Sequence, residues 1–427
     1  MMRLFLLILT LGQILMAASL EKITINETAV PLIYEQDKRL PIVSMQIIFI
    51  NSGHIEDANR SGLAKLSAKM MNEGTKTLGS NAFAAALEAK AIHISTNIGT
   101  ETFVMELSCL KDQFEEGVEK LISLIQDPNI TEKTLEKIKT ISIGGLKRRE
   151  SDFDYVASSE LKKLQYPNSS LEYPSDGTIE LIESISLDEI KAFLKKHLVS
   201  ERVIAVVGGD ISDSEAKKSV TKVVSKLQKG ERGEAISVTT NPKIQESILK
   251  RTTEQAYIYF GSPFHMQVND VDYYKARVAT YILGAGGFGS RLMEEIRVKR
   301  GLAYSAYARV SVSASHSAFS GYLQTKIESL KEAQSTVKEV IADFVKDGVT
   351  QAELDHAKKF LLGSEPLRVE TLSQRLSRTF LEYYKGQELG HAAKELELIS
   401  NLSLDDLNTF VKKHSEINDL SFAIVTE

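Results

Sequence analysis

The sequence predicts an α+β protein made of two duplicated domains, each a mainly antiparallel sheet packed with helices. Three observations carry this. A twelve-residue segment occurs twice, Ser186 to His197 and Ser403 to His414, with seven identical positions at an offset of 217. Within each copy, strand-like runs cluster ahead of amphipathic helical runs, the order of an α+β chain. The length of 427 residues suits two domains of about 200 residues each.

The elements follow in order. Met1-Met2-Arg3 precedes an almost wholly apolar run, Leu4 to Leu15, and Met16-Ala17-Ala18-Ser19 supplies small residues. This is the pattern of a secretory signal over 1–19, cleaved near Ala18 or Ser19. About 12 apolar residues are too few for a membrane core that needs about 20. No later run is longer, so a periplasmic or secreted chain without a stable membrane span is expected. The N-terminal domain is expected over 20–226. Its run Phe103 to Leu110 contains Cys109, the one cysteine, which reads as core rather than nucleophile and excludes an internal disulfide. A helix is expected over 112–126, and Thr131 to Lys139 parallels Thr350 to Lys358 in the second copy.

Both copies of the repeat begin Ser-Leu-Asp-acid, a helix N-cap with an acidic first turn. Each leads into an apolar strand, Val203 to Val207 and Leu420 to Val425. Between the copies, 227–248 is polar and carries Gly230, Gly233 and Pro242, as an exposed linker would. The C-terminal domain is expected over 249–427, with a helix over 328–346. A net charge of -5 and a pI near 6.0 argue against nucleic acid as a partner.

Two segments carry chemistry. The first runs Ser61-Gly62-Leu63-Ala64-Lys65-Leu66-Ser67-Ala68-Lys69-Met70-Met71-Asn72-Glu73-Gly74-Thr75. It resembles the signature of the insulinase/pitrilysin metallopeptidases, G-L-A-H-x-x-E-H-M-x-F-x-G-T. The Gly-Leu-Ala start, the Met and the closing Gly-Thr fall in register. Lys65 and Lys69, however, stand where the resemblance calls for histidines, and Ala68 where it calls for glutamate. Histidines at i and i+4 would share a helix face and give zinc two imidazoles, with the glutamate activating water. An ammonium has no lone pair to give a cation, and alanine takes no proton. The eight histidines are scattered, no two closer than 23 positions. His54, near the signature, reads as a surface or capping residue. The family's further glutamate ligand would fall near Leu146, where there is none.

The second segment is Gly284-Ala285-Gly286-Gly287-Phe288-Gly289-Ser290-Arg291-Leu292, leading into Met293-Glu294-Glu295-Ile296-Arg297-Val298-Lys299-Arg300-Gly301-Leu302-Ala303-Tyr304. Its glycines spell G-x-G-x-x-G. A dinucleotide site would need a strand before them and an acid about 20 residues later; Tyr273 to Leu283 reads as helix, and Glu294 and Glu295 come too early. The segment is similar to the family's C-terminal element, whose Arg and Tyr, here Arg297 and Tyr304, complete an active site. The resemblance implies that Gly284, Gly286, Gly287 and Gly289 border a substrate cleft; a plain helix-to-helix turn is the other reading. Leu292, Ile296 and Lys299 are expected on one helix face, Gly301 as its stop, and Tyr304, Ala306, Ala308 and Val310 on one face of a strand.

The resemblance further implies a half-clamshell subunit: a non-zinc, periplasmic member of a heterodimeric metallopeptidase. It would lend Arg297 and Tyr304 to a homologous partner that holds the zinc, with no cofactor in this chain, and the pair would cleave peptides or small unfolded proteins. Two other readings stay open, a stand-alone pseudopeptidase that binds peptides or scaffolds a complex, and an active zinc metalloendopeptidase.

Overall fold

The structure, a computed structural model, describes residues 18–427. The expected signal segment falls almost wholly outside the described residues. The first half forms β1 (Ser19–Ile25), β2 (Thr28–Gln36), β3 (Ile42–Ile50), α1 (Leu63–Met71) and α2 (Gly79–Glu88). It continues through β4 (His93–Ile98), β5 (Thr102–Leu110), α3 (Phe114–Gln126), α4 (Glu132–Arg149) and α5 (Phe153–Gln165). It ends with α6 (Ile179–Ser184), α7 (Leu187–His197), β6 (Val203–Gly209) and α8 (Asp213–Val224). The second half forms β7 (Glu246–Lys250), β8 (Gln255–Pro263), α9 (Tyr273–Thr280), a three-residue α10 (Arg291–Met293), β9 (Ala303–Val312) and β10 (Ser317–Lys326). Then come α11 (Leu330–Asp347), α12 (Gln351–Gly363), α13 (Leu372–Tyr384), α14 (His391–Asn401), α15 (Leu404–Lys413) and β11 (Ser421–Thr426).

The strands make two mixed sheets, ordered β1-β2-β6-β3-β5-β4 and β7-β11-β8-β10-β9. Apart from β1, the two orders are the same. In each, the last strand of the half pairs antiparallel with the long strand β3 or β8 and parallel with β2 or β7. The duplication read from the repeated segment is therefore a duplication of topology. The repeat itself forms α7 and α15, each started by its serine. Ser186 and Glu189 make a reciprocal capping box, and Ser403 accepts the amide of Asp406 at 3.1 Å. Two of the identical residues, a phenylalanine and a histidine one turn later, stack at the helix end. His197 lies on Phe193 at 4.3 Å, and His414 lies 4.5 Å from Phe410 and 4.6 Å from Phe264. Burial and the Arg202 guanidinium hold the His197 pKa down to about 3. Both rings are packing groups.

Each sheet has one face under its own helices and the other under a helix from the opposite half. α13 lies over the first sheet, where Leu372 and Leu376 pack on Ile33, Ile204 and Val206. Its Arg375 reaches the buried Glu35 at 2.6 Å and Asp37 at 2.8 Å. α5 lies over the second sheet in the same way. Tyr259 donates to its Asp154 at 3.1 Å, Ser247 to its Glu160 at 2.8 Å, and Phe153 meets Tyr257 edge to face. Cys109 is buried in the first core, and burial, with Asp112 nearby, pushes its thiol up to about 11. Residues 229–245 form no helix or strand, yet Val238 and Thr240 hydrogen-bond the backbone of Ser315 and Ser317.

Candidate functional site

In the first half the chain leaves β3 through a 3-10 turn, His54–Asp57, and enters α1. Asp57 is buried and accepts the amides of Gly62 at 3.0 Å and Ala64 at 2.8 Å. Burial outweighs those bonds and pushes its carboxyl up to about 7. α1 is wedged between two apolar clusters. Ala64, Ala68 and Met71 face the sheet core, while Leu66 and Met70 pack with Leu135, Ile138 and Leu146. Ala68, only 2% exposed, therefore fills core space.

Lys65 and Lys69 occupy the half-buried strip between these faces. The Lys69 ammonium donates to the Ser142 hydroxyl of α4 at 2.9 Å. Burial, reinforced by the like charges of Lys65 and Arg149 and opposed by Asp176, lowers the Lys69 pKa. The residue of α4 that faces Lys69 is thus Ser142, one turn before the expected Leu146, which lies in the core. A serine–lysine pair can be a nucleophile and its base, but Ser142 is 6% exposed. It also sits mid-helix, where backbone amides are spent on the helix and none is free for an oxyanion. Two ammoniums and a hydroxyl do not fit zinc. Among the described residues no group of three or more His, Cys, Asp or Glu is placed to hold a metal.

His54 is half-buried rather than a surface residue. Burial and the charges of Lys162, His316 and Lys65 lower its pKa to about 4, so it is neutral at pH 7.

In the second half the equivalent stretch is built differently. α9 passes into a π-helical segment, Tyr281–Ala285, then the glycine run, α10 and a second π segment, Glu294–Lys299. Gly284 is buried because a Cβ there would lie 2.6 Å from the Ala308 amide nitrogen, so its glycine serves close packing on β9. Gly286 is half-buried, and Gly287 and Gly289 are exposed on either side of Phe288. Leu292 and Ile296 are buried, but Lys299 is exposed, since the π winding turns it away from their face. Gly301, at φ +61, ends the segment as expected.

Tyr304 is not on the face of Ala306, Ala308 and Val310. Between Ala303 and Ala306 the pairing to β10 slips, with Ala306 opposite Leu323 and Ala303 opposite Thr325. The extra residue is a β-bulge, and it reverses the alternation. Ala303 and Ala306 both stay buried while Tyr304 is 81% exposed. The bulge sets Tyr304 beside Arg297, whose guanidinium lies 4.3 Å from the Tyr304 ring and 4.5 Å from the ring of Phe288, itself 68% exposed.

Neighbouring cations are neutralised: Arg291 by Glu353 at 2.6 Å, Lys299 by Glu295 at 2.6 Å and Arg300 by Glu339 at 3.2 Å. Arg297 has no carboxylate within salt-bridge reach among the described residues and rests on two aromatic faces. Each such contact is worth about 0.5–1 kcal/mol at an exposed site, enough to orient the fork and leave its N–H donors free. The sequence placed Arg297 and Tyr304 together; it did not single out Phe288 as the third member, although an exposed aromatic within a glycine loop is such a signal.

Comparison with known proteins agrees with this architecture. The family profile described as "Insulinase (Peptidase family M16)" matches residues 33–179, and "Peptidase M16 inactive domain" matches 184–361. A Helicobacter pylori protein named "Non-peptidase homolog YmxG" is 42% identical over 427 residues, covering 100% of this chain and 99% of that one. A Bacillus subtilis protein named "Uncharacterized zinc protease YmxG" is 25% identical over 82% of this chain and 85% of its own. The crystal structure of a peptidase M16 inactive domain from Pseudomonas fluorescens superposes with a TM-score of 0.87 at 25% identity, covering 95% of this chain and 98% of that chain. The chain belongs to the insulinase family, peptidase family M16.

Proposed function

We propose that the chain is the non-zinc subunit of an exported, heterodimeric metallopeptidase and supplies Arg297 and Tyr304 to the zinc site of a homologous partner. The observation that carries this reading is the Arg297–Tyr304–Phe288 stack. It is a preoriented, uncompensated guanidinium on an exposed surface, paired with a phenol that a bulge has turned outward. A guanidinium and a phenolic hydroxyl both donate hydrogen bonds, and the guanidinium stays charged at any working pH. Aimed at a peptide carbonyl, the two stabilise the charge that develops on its oxygen. The zinc held by the partner would supply the activated water. Nothing stands within 4 Å of a Cβ at Gly287, which leaves room beside Phe288 for an extended peptide, whereas Gly289 packs on His356. In this reading the subunit acts in the periplasm or outside the cell on peptides or small unfolded proteins.

The test mixes the purified chain with a zinc-bearing homologue encoded beside it and follows cleavage of a fluorogenic peptide. Arg297→Ala with Tyr304→Phe is expected to lower kcat by about 100-fold or more, with the Tm of the chain unchanged. Full activity from the double variant would reject the reading. The name of the H. pylori relative, "Non-peptidase homolog", favours a second reading, a stand-alone pseudopeptidase that binds peptides. It predicts peptide binding by the isolated chain and no gain of cleavage on adding any zinc-bearing homologue.

A further inference from the structure

At the end of β9 away from Tyr304, the chain frames an open cavity of about 690 Å³. Four segments wall it: the polar linker at 237–240, the loop at 263–269 that leaves β8, the turn between β9 and β10, and Lys385 just past α13. Ser313 in that turn follows Tyr304 by nine positions, so the cavity lies roughly 30 Å along the strand from the Arg297 stack. Its walls are tied to one another. The Val238 amide and the Thr240 hydroxyl donate to the carbonyls of Ser315 and Ser317, each at 2.7 Å, which lays the linker along the turn. The Ser317 hydroxyl donates to the Met266 carbonyl at 2.6 Å, and Glu416 accepts the His265 amide at 2.9 Å, which hold the loop.

Two features of the lining select a ligand. The first is charge. Lys385 is the one ammonium or guanidinium among the described lining residues, and no carboxylate lines the cavity. It is half-buried, its Nζ lies 5.0 Å from the centre of the Tyr273 ring, and it makes no side-chain hydrogen bond or ion pair among the described residues. The acids whose charge reaches it are engaged elsewhere, Glu395 by Arg277 at 3.1 Å and Glu101 by the Ser315 amide at 2.7 Å. Burial outweighs both and lowers the Lys385 pKa. The second feature is backbone. The amides and carbonyls of Ser237 and Thr239 make no hydrogen bond among the described residues, although Val238 between them is paired. Because 238 and 240 face the turn at the spacing of an extended strand, 237 and 239 direct their backbone groups to the opposite side, where a further strand would pair.

We propose that this cavity binds the C-terminal end of an extended peptide, whose carboxylate meets the Lys385 ammonium while its backbone pairs with Ser237 and Thr239. Carboxylate capture and strand addition are two general ways to hold a peptide, and one cavity here offers both. Its volume falls within the span of about 300–1,000 Å³ usual for small-ligand sites. An ammonium already partly withdrawn from water gains more from a carboxylate than one on an open surface does. The proposal goes beyond the subunit reading and needs no zinc-bearing partner.

The test is fluorescence anisotropy with the full chain in low-salt buffer at pH 7. The probes are a fluorescein-labelled Gly-Ser-Ala-Ala-Ala peptide with a free C-terminal carboxylate and the same peptide ending in an amide. Their side chains are small because the contacts are to backbone and carboxylate. The acid is expected to bind about tenfold or more tightly than the amide. Lys385→Met keeps the stem on Tyr273 and should bring the acid down to the level of the amide. Thr239→Pro removes an amide that makes no internal bond and should weaken both probes by about fivefold. Thermal unfolding checks that both variants fold. Equal affinity for acid and amide, an unchanged acid affinity in folded Lys385→Met, or no binding of the acid at millimolar protein overturns the proposal. Loss in Lys385→Met with none in folded Thr239→Pro overturns it in favour of a carboxylate held by Lys385 alone. Because the readout is binding to the isolated chain, any of these results leaves the subunit reading untouched.

Discussion

The stretch that follows the long central strand differs between the two halves, although the strands around it keep the same order. In the first half, β3 leads through Asp57 into α1, an ordinary helix clamped at its start by two buried hydrogen bonds. In the second, β8 leads into α9, which has no side-chain cap, loosens into π winding and opens as a glycine run. The first arrangement makes a rigid wall whose polar strip turns inward. The second pushes an arginine and two aromatic rings outward. One scaffold thus yields a closed face and a presenting face, and the difference lies in a few residues at helix ends.

That contrast can be broken at its strongest point by Asp57→Ala. It strands two buried amides, each unmade bond costing about 1–3 kcal/mol, so a loss of about 3 kcal/mol is expected from urea unfolding. The equivalent Asp272→Ala should shift stability by less than about 0.5 kcal/mol, since Asp272 makes no cap bond and is paired with Lys275 near the surface. Equal losses at the two positions would show that α1 is no more firmly anchored than α9.

A smaller effect is expected where each region re-enters its sheet. Both do so through a left-handed residue, Ala91 at φ +50 before β4 and Gly301 at φ +61 before β9. An L side chain there costs about 1 kcal/mol. Ala91→Gly should therefore raise stability by up to about 1 kcal/mol, and Gly301→Ala should lower it by a similar amount, read as opposite shifts of Tm. Nothing stands within 4 Å of a Cβ at Gly301, so strain rather than a clash sets the size.

The smallest effect concerns pH. His54 has a folded pKa near 4, below its ordinary 6.5. Between those values the unfolded chain binds more protons, so stability falls as pH drops from about 6.5 towards 4 and levels off below. Because the ring keeps contact with solvent, the loss is expected to stay under about 1 kcal/mol. His54→Gln should flatten that part of the profile of unfolding midpoint against pH. An unchanged slope would show that the surroundings of His54 do not suppress its charge.

Much of this was legible in the sequence, for reasons that differ by residue. α7 and α15 announce themselves because serine caps, acidic first turns and apolar spacing are local signals. The pairing of Arg297 with Tyr304 followed from the family resemblance. What escaped depends on distant partners. The bulge at Tyr304 is set by how β9 meets β10, so alternation along one strand put the tyrosine on the wrong face. Ser142 faces Lys69 because of how α4 crosses α1, which spacing along the chain cannot tell. Lys299 left its face because π winding adds a residue per turn without any signature in side-chain type. Nothing in α5 or α13 says which sheet each will cover.

That crossing of covers has a consequence for biosynthesis. The first sheet has all its strands once Gly209 is made, but the helix that shields Ile33, Ile48 and Val206 begins only at Leu372. During synthesis, a sheet with all its strands waits with an oily side bare until the tail of the polypeptide arrives. Chaperones that hold such a surface, and truncations that never deliver its lid, act on this interval.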